Sequence, residues 1–182
     1  MKKAILIICC LFISLVVSGQ KIAPPTQEWC EWAFQQIPDH KDISKVDADA
    51  FSIDFRTLLK ISYTIDHWEW EKDPGEMGYG EFLFYWYAGN GDSPLDDPKH
   101  TVQFEVGEVQ DGKTTLAVSI RTPSWPPYNP EYHRFTMRLV YENDAWRIDD
   151  WVKILDGEEG HTVSMSKDLK SYIGWYSKQI FK

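Results

Sequence analysis

Cysteine is scarce in this 182-residue chain. Of three, Cys9 and Cys10 fall in an apolar N-terminal stretch, and only Cys30 lies beyond it. A lone thiol cannot close an intramolecular disulfide, so the fold must rest on its core. Cys30 stands between Trp29 and Glu31 with no basic partner in the local pattern, and reads as a small buried hydrophobe rather than a nucleophile. Positive charge is short as well. Lysine and arginine number 19 against 28 acidic residues, a net charge of −9, and no run of basic residues interrupts that surface. It repels phosphate backbones and anionic headgroups, which argues against nucleic acid as a partner. The five histidines (His40, His67, His100, His133 and His161) are dispersed, with none four residues from a second ligand on a helix, so no zinc signature is present. Asp92, Asp96 and Asp97 lack the spacing and closing glutamate of an EF-hand loop. Ser124, Ser164 and Ser166 have no nucleophile-elbow context. Neither metal nor cofactor is expected.

The one long apolar run, Ala4 to Val17, falls short of the roughly 20 residues that span a bilayer. With Lys2-Lys3 before it and Val17-Ser18-Gly19 after it, it reads as a secretory signal peptide over 1–19. This predicts export to the periplasm or the extracellular space, with no membrane span in the mature chain. Cys9 and Cys10 follow Ile7-Ile8 rather than a small residue, which argues against lipidation. Loss of Lys2 and Lys3 takes the net charge from −9 to −11. Residues 20–182 have the size of one domain, without repeats or low-complexity tracts.

Pro24-Pro25-Thr26 precedes helically spaced Trp29, Trp32 and Ala33, which predicts a short helix to about Gln36 with Thr26 as its cap. Phe51, Phe55, Leu58, Leu59, Ser62 and Ile65 predict a second helix, capped by Asp47 or Asp49 and ending near Asp66. From His67 to Asp97, Trp68, Trp70, Tyr79, Phe82, Phe84, Tyr85, Trp86 and Tyr87 alternate with many glycines, the composition of a long loop. Within it, Phe82–Tyr87 fits either a short strand or a helical turn. Alternation then predicts strands over Thr101–Val109 and Thr115–Arg121, joined at Asp111-Gly112. A strict two-residue turn there would set Val106 against Ala117 and put the apolar sets on opposite faces. A longer loop or a bulge, with Gly107 a candidate, must restore the register. Pro123–Pro130 is an extended connection, and Leu169, Tyr172, Ile173, Tyr176 and Ile180 predict a C-terminal helix capped by Ser166.

The sharpest pattern is His133–Ile154, two alternating runs around Asn143-Asp144. A two-residue turn pairs Tyr141 with Trp146, Leu139 with Ile148, Met137 with Asp150 and Phe135 with Val152 on one face, and Arg138 with Asp149 and Thr136 with Trp151 on the other. Asp150 is then a lone carboxylate on an apolar face.

Helices followed by antiparallel strands predict an α+β fold, N-terminal helices packed on a curved antiparallel sheet with a C-terminal helix. On Arg138–Asn143 and Trp146–Asp150 the chain resembles the nuclear transport factor two-like, or cystatin-like cone, superfamily, in a branch of small secreted bacterial proteins of unknown function. The helix Phe51–Ile65 and the loop Gly89–Asp92 agree with it. That resemblance implies a single cone-like domain over 20–182 and little about chemistry, since the superfamily hosts enzymes, binding modules and inert scaffolds.

Asp150 is the strongest candidate site residue. An acid held among Met137, Leu139 and Trp146 would be desolvated, which suits a general base or proton donor. Its structural alternative is a strut that ties the sheet to a helix through a tyrosine hydroxyl or a backbone amide. Nine tryptophans could stack on sugars or simply fill the core. The favoured reading is a non-catalytic module binding a small molecule, a glycan or a protein. It would use the concave face (Asp150, Tyr141, Met137) and an aromatic rim (Trp68, Tyr85, Trp86). The alternative is a cofactor-free isomerase or hydratase using Asp150, with Tyr63 or Tyr141 lending a hydroxyl.

Overall fold

The alternating second half of the chain folds as one five-stranded antiparallel sheet whose strands lie side by side in chain order. The computed structural model describes residues 21–36, 47–72, 98–123, 131–154 and 162–180. Among them the helices are α1 (Gln27–Gln35), α2 (Ile53–Lys72) and α3 (Met165–Ile180). The strands are β1 (Thr101–Val106), β2 (Lys113–Thr122), β3 (Glu131–Glu142), β4 (Ala145–Ile154) and β5 (Thr162–Ser164). The class is α+β, with helices before the curved sheet and one after it, as the order of patterns predicts. Residues 1–20, where the signal peptide is expected, 37–46, the connection 124–130 and the glycine-rich stretch 73–97, with Tyr85 and Trp86, lie outside the described residues.

Period-two alternation decides the core. Leu116, Val118 and Ile120 of β2 and Phe135, Met137 and Leu139 of β3 are all buried on one face, with Trp146, Ile148 and Trp151 of β4 beside them. Cys30 and Ala33 of α1, Phe55 of α2 and Met165 and Leu169 of α3 close over that face. Each large apolar side chain buried there stabilises the fold by roughly 1.5–3 kcal/mol. Phe135 is the aromatic centre, 4.9 Å from Trp151 and 6.2 Å from Phe34 between ring centroids. Burial pushes the Cys30 thiol up, with Glu31 adding to the shift, in keeping with a packed and unreactive sulfur.

Both hairpins use left-handed turn residues. Asn143 and Asp144 have φ of 51° and 61°, and Asp111 and Gly112 have 50° and 70°, the paired positive values of a type I′ turn. The first hairpin repairs its register as expected. Gln110 pairs with Lys113, yet Val106 pairs with Leu116, so Gly107–Val109 bulges opposite Thr114–Thr115.

The second hairpin departs from the sequence reading. Tyr141 faces Trp146 and Leu139 faces Ile148 as expected, but Arg138 then faces Asp150, Met137 faces Trp151, Thr136 faces Val152 and Phe135 faces Lys153. A bulge at Asp149 is the cause. Beyond it every side chain of β4 changes face, because strand alternation has a period of two. Trp151 turns into the core, and Asp150 leaves the face of Met137 and Leu139. The expected pairs Met137–Asp150, Arg138–Asp149, Thr136–Trp151 and Phe135–Val152 are replaced.

Helix ends also shift. Thr26 caps α1, its hydroxyl accepting from the Trp29 amide at 3.2 Å. Asp47 caps only a 3-10 turn, Ala48–Ala50. Phe51 forms a parallel bridge to Ile148 instead of opening the helix, and Ser52 caps α2 by accepting from the Phe55 amide at 3.1 Å. The helix runs past Asp66 to Lys72, so residues 67–72 are helical where a loop was expected. Glycine and proline appear only from Pro74 onward, and His67 and Glu71 meet one turn apart at 3.6 Å. At α3 the cap is Ser164, whose hydroxyl accepts from the Lys167 amide at 3.3 Å, and Ser166 sits inside the first turn.

Candidate functional site

Asp149 and Asp150 are consecutive, and each serves the N-terminus of a different helix. The Ser52 hydroxyl donates to Asp149 Oδ1 at 2.6 Å while accepting from the Phe55 amide, which joins the bulge to the first turn of α2. Ser52 N–H donates to the Ile148 carbonyl at 2.9 Å, and Glu142 Oε1 accepts from the Ile53 amide at 2.9 Å. The Arg147 guanidinium reaches the Asp49 carbonyl. The start of α2 is thus bolted to β3 and β4 by several bonds.

Asp150 does the same for α3. Its Oδ1 accepts from the amides of Trp151 and Ser166, each at 2.8 Å, and its Oδ2 accepts from the Ser164 hydroxyl at 2.7 Å and from Arg138 Nη1 at 3.2 Å. Only 2% of the residue is exposed. Two bonds per oxygen exhaust the good acceptor directions of a carboxylate, and a negative charge at the first turn of α3 complements the helix dipole. The amide contact foreseen as the structural alternative is present, supplied by Ser166 rather than a tyrosine.

The proposed concave-face cluster is therefore not assembled. Met137 is wholly buried in the core. Tyr141 lies near the end of β3, edge-on to Trp146 at 5.4 Å. Asp150 is on the Arg138 face, and Trp68 lies on α2, edge-on to Tyr176 of α3 at 6.0 Å. Tyr63 is on the outer side of α2, stacked on His67. Tyr85 and Trp86 lie outside the described residues. Among those residues no group of three or more His, Cys, Asp and Glu is placed to hold a metal, and no helix is long and apolar enough to cross a membrane.

Two concavities are lined by described residues. A cleft of about 460 Å³ beside β1 and β2 is lined by Gln27, Gln103, Glu105, Ser119, Phe104 and neighbours. It mixes amides, a hydroxyl and one exposed carboxylate. A groove of about 400 Å³ between α2 and α3 is lined by Lys60, Ile61, Thr64, Ile65, Trp68, Tyr176 and Ile180. There the polar groups are few. The Thr64 hydroxyl donates to the Lys60 carbonyl at 2.8 Å, and Lys60 supplies the one charge among the described lining residues. Among the described residues every large hydrophobic that is exposed belongs to α2 or α3: Ile53, Ile61, Tyr63, Trp68, Trp175 and Ile180. Sequence reasoning assigned Ile65, Tyr176 and Ile180 to the core stripe and passed over Ile61. The available signal was Ile61 itself, an apolar residue lying off the stripe Phe55–Leu58–Leu59–Ser62.

Comparison of the chain with protein-family models, curated proteins and solved structures gives no match.

Proposed function

We propose that this chain is an exported, non-catalytic interaction module of the nuclear transport factor two-like kind, and that it makes contact through the apolar groove between α2 and α3. The observation that carries this reading is the state of Asp150. An acid-base residue needs an oxygen open to substrate, and both oxygens of Asp150 are engaged by donors that fasten α3 to the sheet. The apolar face beside it is filled by Leu116, Val118, Met137, Leu139 and Ile148, each at most 2% exposed. Contact with a partner then falls to the surface where apolar area is open. Contiguous exposed apolar patches of this kind mark contact sites on folded proteins.

Anilinonaphthalenesulfonate, an apolar anion, probes that surface directly. Its fluorescence should rise on the dilute native protein. Ile61→Ser and Trp68→Ala should each weaken binding about fivefold, as loss of about 1 kcal/mol of apolar contact requires. Asp150→Asn, if circular dichroism shows it folded, should leave binding unchanged. Dye binding that survives both groove variants and disappears in folded Asp150→Asn protein would reinstate the sheet face as the site.

A further inference from the structure

We infer that the occupant of the α2–α3 groove is a second copy of this chain, packed about a two-fold axis that crosses α2 between Thr64 and Ile65. The inference rests on the groove being the contact surface, and it adds what fills it.

The pattern along α2 is self-complementary. On a helix of 3.6 residues per turn, Lys60, Thr64 and Glu71 fall on one flank, and Ile61, Ile65 and Trp68 lie next to them toward α3. An isologous contact requires residue i to meet residue j while j meets i. With the axis between Thr64 and Ile65, Ile61 of one copy meets Trp68 of the other, and the reverse. These two side chains are 41% and 43% exposed, so both carry apolar area still to be covered. Thr64 sits nearest the axis, its hydroxyl already engaged by the Lys60 carbonyl. A small residue at the crossing lets two helices approach closely.

The charges follow the same symmetry. A two-fold axis lying in the contact plane keeps like flanks together, so Lys60 of one copy comes beside Glu71 of the other, with an axial offset of about 3 Å that the four-carbon lysine stem can span. No carboxylate among the described residues pairs with Lys60, whose side chain lines the groove. Glu71 is exposed, and its only described ion-pair neighbour is His67 of the same helix, also exposed. Each pair occurs twice in the assembly. In a chain of net charge −9, two copies repel at long range. Among its described lining residues the groove is a low-charge stretch where they can meet, and Lys60 is matched.

Sedimentation equilibrium of the folded chain tests this. The native protein should pass from the mass of one chain to twice that mass between about 1 and 300 μM, the range of a modest interface. Lys60→Glu and Glu71→Lys should each weaken association about tenfold, since every change acts twice across the axis. Combining Lys60→Glu with Glu71→Lys should bring affinity back to within about threefold of native, because the pair is restored with its signs exchanged. Circular dichroism should be unchanged in all three, as both positions are exposed. A double variant weaker than either single variant, or a dimer indifferent to both charges, would overturn the inference. A chain monomeric throughout would also overturn it. If that monomer still binds the dye through Ile61 and Trp68, the groove serves another partner. If it does not, the functional reading falls too.

Discussion

Asp150 gives a test in which two substitutions at one position must differ. Asp150→Ala removes both carboxylate oxygens at once, so the amides of Trp151 and Ser166 lose the acceptor they share. Each amide deprived of its acceptor costs about 1–2 kcal/mol, the lower part of the range for an unsatisfied buried group, and loss of the charge at the start of α3 adds about 0.5–1 kcal/mol, so a total of about 2.5–5 kcal/mol is expected. Asp150→Asn is milder. The retained oxygen can keep both amides, the Ser164 hydroxyl can turn to accept from the new NH2 group, and the Arg138 side chain, 59% exposed, can swing into water. Its cost should be about 1–2 kcal/mol. The gap of about 2 kcal/mol between them is the diagnostic quantity, readable against a total stability of order 5–15 kcal/mol. Urea unfolding followed by far-ultraviolet circular dichroism would measure it, comparing midpoints at constant m. If Asp150→Ala costs no more than Asp150→Asn, the two amides do not depend on this carboxylate and the strut assignment is wrong.

Trp146→Ala should cost about 3–5 kcal/mol, because the ring is buried and its Nε1–H donates to the Ala23 carbonyl at 2.9 Å. Asp144→Gly should be neutral or stabilising by up to about 1 kcal/mol, since φ of 61° suits glycine. Equal small effects in thermal unfolding would contradict the hairpin geometry. Asp168, in the first turn of α3, has its carboxyl raised above 3.8, chiefly by burial and also by Asp150, against a lowering from Lys167. A carboxyl raised on folding binds more protons in the folded state, so its contribution to stability falls as pH rises through the window just above 3.8. Asp168→Asn should therefore be the more stable protein above that window, and the difference should close below it. Unfolding midpoints at pH 7 and pH 3 would show this.

Element types were legible in the chain because periodicity and turn chemistry report local physics. Asn143-Asp144 and Asp111-Gly112 marked both turns, and the mismatch of Val106 with Ala117 called for a longer loop or a bulge, with Gly107 a candidate, where the fold has a bulge over Gly107–Val109. The bulge at Asp149 left no such mark. Phe135, Met137, Leu139, Ile148 and Trp146 alternate acceptably without it, and its benefit lies in tertiary contacts to Ser52, Ser164 and Ser166, which are 97, 14 and 16 residues from the aspartates they bind. Thr26 was legible as the cap of α1, but the caps of α2 and α3 were misassigned for a related reason. Asp47, Asp49 and Ser166 were each plausible locally, while Ser52 and Ser164 win because the sheet fixes where each helix begins.

That single extra residue also decides which apolar surface is closed and which is left open. Without it, Trp151 would point away from the core and Asp150 would enter it, where a carboxylate costs several kcal/mol unless fully bonded. With it, Trp151 packs 4.9 Å from Phe135, and both aspartates move to helix starts that lack acceptors of their own. The centre of the inner face becomes apolar and closed, and the carboxylates become fasteners. The same fasteners hold α2 and α3 at fixed positions on the sheet, which sets the spacing of the groove between them. Ile61 and Trp68 are thereby displayed on a rigid pair of helices, and an ordered surface loses less entropy on association than a loop would. The bulge at Asp149 thus closes the sheet face and leaves open apolar area on the helices, the surface proposed for contact.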